Sequence, residues 1–178
     1  FKIARGLPDN YVRKYSNLKS LGALNLVLIL NEKFFENDVY WLSVGDKNYP
    51  FIGVMEHTNF IDSSKYAGER IIYIGNYLKT EHPYFKMGET ALVSEFMPYL
   101  KKINPQFGKS WIKKAYIFRA PFAQPVISLN YSIKIPPLAT PIKGVFLANI
   151  QQVYPWDRGT NYAVALVKKV AEEIIKQK

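Results

Sequence analysis

The chain has 178 residues, 48% of them hydrophobic and 15% aromatic, and a formal net charge of +10. That length can bury a substantial core and favours a single, large domain. The absence of cysteine excludes disulfides, thiolate catalysis and cysteine-ligated metals; with only His57 and His82 and no HExxH or EF-hand spacing, no metal site is expected.

From the N-terminus, residues 9–20 read as a short polar helix capped by Asp9 or Asn10. "ALNLVLIL" (23–30) is a near-continuous apolar run of strand length, expected to be buried on both faces. "VYWLSVGD" (39–46) follows a polar turn, so the two are expected to form a hairpin. "FIGVMEHTNF" (51–60) and "ERIIYIGNYL" (69–78) read as two further strands. Leu92, Phe96 and Leu100 give residues 88–103 helical spacing, and Asn104-Pro105 ends that helix. "WIKKAYIFRA" (111–120) and "GVFLANI" (144–150) read as strands, with a proline-rich loop over 121–143 between them. A final helix begins near Thr160. The expected fold is α+β: a mixed, largely antiparallel sheet flanked by helices, with a long C-terminal amphipathic helix.

In that last helix Tyr162, Leu166, Val170 and Ile174 recur every fourth residue, as do Ala163, Val167, Ala171 and Ile175. The stripe must pack on this chain's own sheet or on a partner, including a second copy in a homodimer. The lysines are scattered and no arginine-rich arm or RNA-binding motif occurs, so nucleic acid is not the expected partner. Runs such as 26–30 fall far short of a membrane span and no signal-peptide pattern is visible, so a cytoplasmic location is expected. The chain opens on Phe1 rather than Met, as expected of a piece of something longer.

The chemistry gathers around "YPWDRGTNYA" (154–163). Asp157, Thr160 or Asn161 can each cap the helix, and Gly159 lets the backbone approach a ligand closely. The free amides of a helix start carry roughly half a positive charge, a place for an anionic or electron-rich group. Plain capping and ligand binding both fit. His57 is either a proton shuttle or a satisfied structural histidine; a strand over 55–60 would set it opposite Glu56. Arg119, among Tyr116, Phe118 and Phe122, suits a fork on a substrate carboxylate or an ion pair. Gln124 can offer its amide to buried backbone or to a ligand. The 27 aromatics (Tyr 13, Phe 11, Trp 3) suit walls for a flat apolar substrate, or simply a core.

"FLANIQQVYPWDRGTNYAVALVKKVA" (146–171) resembles the C-terminal signature of flavin-dependent amine oxidases and protoporphyrinogen-oxidase-like proteins. "FIGVMEHTNFI", "ERIIYIGNYL", "LKKINPQFG" and "FRAPFAQPV" fit the same group in the same order, so the resemblance runs from about Leu21 to Ala171. It implies a parent oxidoreductase whose N-terminal Rossmann-type part binds FAD. Residues 1–150 would then form a substrate-binding α+β domain over the flavin, and 151–178 a flavin-contacting segment. Asp157, Arg158, Gly159, Thr160 and Asn161 become the flavin-facing set, with weaker claims for Tyr162 and Ala163. Arg119, His57 and Gln124 become the substrate-side residues. No GxGxxG occurs, so that fingerprint is expected outside these residues. This chain alone is expected to be inactive and free of FAD. The alternative is a stand-alone basic, aromatic-rich α+β module for an anionic ligand or nucleic acid.

Overall fold

The computed structural model describes residues 4–157 and 159–176. Helix α1 (Asp9–Ser16) starts after Pro8, which holds the N-cap position in an extended conformation. Asp9 is therefore the first helical residue rather than the cap. Asn10 does not cap either, because its Oδ1 accepts from the next amide, that of Tyr11, at 2.8 Å. The helix stops at Ser16 instead of 20, with Asn17 as C-cap, and strand β1 (Ser20–Leu30) follows almost at once.

Beyond β1 come β2 (Trp41–Ser43), β3 (Gly53–Glu56), β4 (Arg70–Leu78), α2 (Glu89–Ile103), β5 (Ile112–Pro125) and α3 (Thr160–Lys176). The five strands form one sheet in the order β2-β3-β4-β1-β5. β1 pairs antiparallel with β4, from Gly22↔Leu78 to Leu30↔Arg70, and β2 pairs antiparallel with β3. This corrects the expected hairpin between 23–30 and 39–46. After β1 the chain turns into the core: Phe34 and Phe35 are buried, and their amides donate to the Glu56 carboxylate at 3.1 and 2.7 Å. A tight return alongside β1 would have to leave those rings in water.

One face of the sheet is the core. Leu24, Leu26, Leu28 and Leu30 alternate inward from β1 and meet Val54, Ile72, Ile74 and the Leu92, Phe96 and Leu100 stripe of α2. Each such side chain contributes about 1.5–3 kcal/mol on burial. The second face of β1 is covered less completely, with Val27 buried but Asn25 and Ile29 only half-buried. Pro98 lies inside α2 on its exposed side, where the carbonyl it cannot bond is free to meet water. Asn104 ends α2 as expected, and its buried amide also donates to the Phe34 carbonyl at 2.7 Å.

Two further expectations are corrected. The 51–60 segment is strand only over Gly53–Glu56, and His57–Asn59 is a 3-10 turn. Residues 144–150 form no strand; they contribute an isolated bridge, Ala139↔Phe146, and run into a 3-10 turn over Ile150–Gln152. Asn149 and Gln152 close that turn reciprocally, and Gln152 Nε2 donates to the Pro136 and Leu147 carbonyls, a polar anchor that replaces strand pairing. β5 extends through Pro121 to Pro125, which an edge strand tolerates.

The chain divides into two compact units, Leu21–Ala123 on the one hand and Phe1–Ser20 with Gln124–Lys178 on the other. The sheet core and α2 belong to the first, and α1, the proline-rich loop and α3 to the second. Among the described residues no helix is long and apolar enough to cross a membrane, and no group of three or more His, Asp or Glu could hold a metal ion.

Candidate functional site

At the start of α3 the Gly159 carbonyl accepts from the Ala163 amide at 3.0 Å, which puts Gly159 in the N-cap position. The cap is thus glycine, rather than Asp157, Thr160 or Asn161. By helix geometry the amides of Thr160, Asn161 and Tyr162 have no i−4 acceptor within the helix, and the positive end of its dipole lies here. A Cβ at Gly159 would stand 2.8 Å from Asn161 Oδ1, so glycine at this position makes room for the Asn161 side chain. Arg158 lies outside the described residues.

Two adjoining clefts flank this helix start. One, of about 390 Å³, is lined by Gly159, Thr160, Ala163 and Val167 on the helix and by Ala148–Ile150 and Val153 opposite. The other, of about 210 Å³, brings Gln124 and Asp157 to one hollow with Trp156. Ile150 and Val153 border both clefts. Four of the residues singled out in the sequence, Gln124, Asp157, Gly159 and Thr160, therefore gather around one apolar ridge. Neither Ile150 nor Val153 stands out in the sequence: Ile150 reads as the end of a strand that does not form, and Val153 falls between that strand and the 154–163 motif.

The sheet unit offers a different surface. Strand alternation sends Ala115 and Ile117 to the core and Tyr116, Phe118 and Phe122 to the second face, where Phe118 is 61% and Phe122 79% exposed. Trp41, Met55, Tyr73 and Val27 form a cross-strand row on that face, in the register Trp41↔Met55, Met55↔Tyr73 and Tyr73↔Val27. Gly53 and Gly75 are also cross-strand partners, so the next row carries no side chain at two of its positions. Burial raises the Tyr73 pKa above its ordinary value, helped by Tyr66 and Tyr40, so it stays a neutral phenol near pH 7.

His57 sits at the end of the row, edge-on to Tyr73, with Nε2 2.7 Å from the Tyr66 hydroxyl. Arg119 falls on the opposite face from the aromatics beside it in sequence; its guanidinium donates to the Met87 carbonyl, just before α2. Neither is in an ion pair among the described residues. Two strands separate β3 from β5, so His57 and Arg119 stand roughly 14 Å or more apart and do not converge on one small group. Glu56, noted in the sequence only as lying opposite His57, is wholly buried, and its second oxygen also accepts from Asn59.

No protein-family model and no curated protein sequence matches the chain. Solved structures do. A protein from Exiguobacterium sp. 255-15 designated a protoporphyrinogen oxidase matches 99% of the chain at a TM-score of 0.78 and 15% identity. The chain has the fold of part of a protoporphyrinogen-oxidase-like protein. An oxidoreductase from Methanosarcina mazei matches 92% of it (TM-score 0.62, 15% identity), and a reduced UDP-galactopyranose mutase 71% (TM-score 0.54, 11% identity). The matched regions are only 39%, 36% and 27% of those three chains, so the chain spans well under half the length of each.

Proposed function

We propose that this chain is the substrate-binding and terminal flavin-contacting part of an FAD-dependent oxidoreductase of the amine-oxidase and protoporphyrinogen-oxidase-like kind. The observation that carries the reading is the match of 99% of the chain to part of a protein designated a protoporphyrinogen oxidase. The signature at 146–171 supports it independently, because the same residues build the clefts at the start of α3.

The helix-start amides of Thr160, Asn161 and Tyr162 would meet one edge of a flavin ring and the apolar ridge of Ile150 and Val153 one face. Asp157, Arg158, Gly159, Thr160 and Asn161 are the proposed flavin-side residues, and FAD would supply the hydride-accepting chemistry. The dipole of α3 would favour negative charge on that ring. The aromatic second face of the sheet would hold a flat apolar substrate and exclude water from it. Of the substrate-side residues, His57 borders that face, Gln124 borders the flavin-side clefts, and Arg119 reaches the substrate only if it releases the Met87 carbonyl. An N-terminal FAD-binding part is the proposed partner in the parent.

The reading frame around this chain should encode a strand, GxGxxG and a helix ahead of Phe1, and its full product should purify with stoichiometric FAD. A full product without flavin overturns the reading.

A further inference from the structure

The flank of α3 turned away from Gly159 and Ala163 carries another hollow, of about 360 Å³, within the range of small-molecule sites. Its walls are Tyr154, Trp156, Tyr162 and Leu166, its floor is Gln152, and Lys169 stands at its edge. The Trp156 and Tyr162 rings stack, parallel to within 3° with centroids 6.0 Å apart, so the hollow is bordered by two aromatic faces of one orientation. Trp156 is nevertheless 63% exposed, a large ring left in water. Lys169 has no carboxylate partner among the described residues, and nearby Glu173 is engaged by Lys176. Gln152 is already satisfied by Asn149, Pro136 and Leu147, so the floor asks nothing of a ligand.

We propose that this hollow binds a small planar aromatic carboxylate. Its ring extends the stack of Trp156 and Tyr162, where a flat shape is rewarded, and its carboxylate meets the Lys169 ammonium. The charge complementarity selects an anion: a cationic arene would face Lys169 on a chain that already carries +10. The hollow borders the proposed flavin-side clefts at Val153, Trp156 and Leu166, but Tyr162 and Lys169, which select its ligand, line neither of them, so the inference does not rest on the flavin reading.

The test is titration of the 178-residue chain with 2-naphthoate, following the tryptophan indole N–H resonances by nitrogen-15 NMR, with 2-naphthalenemethanol as the neutral counterpart. 2-Naphthoate should shift the Trp156 resonance before that of Trp41 on the sheet. Lys169→Glu should weaken its binding by about tenfold and leave the alcohol's unchanged, as expected for loss of one charge-assisted contact. Tyr162→Leu should weaken both ligands. Equal affinity of 2-naphthoate for wild type and Lys169→Glu, a response confined to Trp41, or no shift at all overturns the proposal.

Discussion

The Glu56 carboxylate is buried, and burial raises its pKa above the ordinary value of 4.5; the Phe35 and Phe34 amides, then Arg70 and Lys33, oppose that rise without cancelling it. A raised folded-state pKa means the folded protein keeps a proton that the unfolded chain has lost. The stability it contributes is fully present below the unfolded value and is lost as pH rises through the folded one. The urea midpoint should therefore carry a downward slope from this group over that window. Glu56→Gln should remove the slope while costing about 1–3 kcal/mol, since an amide cannot accept from Phe34 and Phe35 with both of its ends. A slope unchanged in the variant would show that Glu56 is not its source. Asn104→Ala should cost a similar ~1–3 kcal/mol, because it orphans the Phe34 carbonyl and the Gln106 amide together. At Gly159, valine would push the flexible Asn161 side chain aside. The melting temperature of this chain should barely change, whereas flavin retention in the parent should fall; equal flavin content in mutant and wild type would count against Gly159 as a flavin-side residue.

At the scale of elements, α3 is covered on one flank only. Leu166 is 9% exposed, while Val167, one residue on, is 60% exposed, and Val164 and Ile175 are exposed with it. Leu166→Ala should destabilise the helix by about 2–5 kcal/mol in chemical denaturation. Val167→Lys with Ile175→Lys should leave stability nearly unchanged and abolish any concentration-dependent association seen by sedimentation; association that survives would place the interface elsewhere. What the sequence revealed follows the same division between local and distant. The even-numbered leucines of β1, the Leu92, Phe96 and Leu100 stripe and the Asn104-Pro105 stop were all legible, because each is a local pattern read against a fixed period. The partner of β1 was not, because nothing within residues 23–46 says that Phe34 and Phe35 will be drawn to a carboxylate more than 20 residues away. Arg119 was grouped with aromatics that the strand sends to the other face, a matter of phase. The ridge of Ile150 and Val153 stayed hidden because a capping box overrode an apolar run that reads as a strand.

At the scale of the whole molecule, the helix start and its clefts supply only one side of a dinucleotide site, while pyrophosphate is ordinarily held by a glycine-rich turn that this sequence lacks. The purified 178-residue chain should be colourless and without oxidase turnover; a stoichiometric yellow complex formed by it alone would refute the proposed division of labour.

The chain leaves one compact unit at Ser20 and re-enters it at Gln124. Those two points are side by side: Ser20 Oγ donates to the Gln124 carbonyl at 3.0 Å, and the Val126 amide donates to the Lys19 carbonyl at 3.0 Å. The sheet unit is thus an insert whose two ends meet at a single doorway in its host. An insert of that kind can be exchanged as a cassette, because the host needs only a short turn to close the gap. A different sheet grafted between Ser20 and Gln124 would leave the helix start inherited intact.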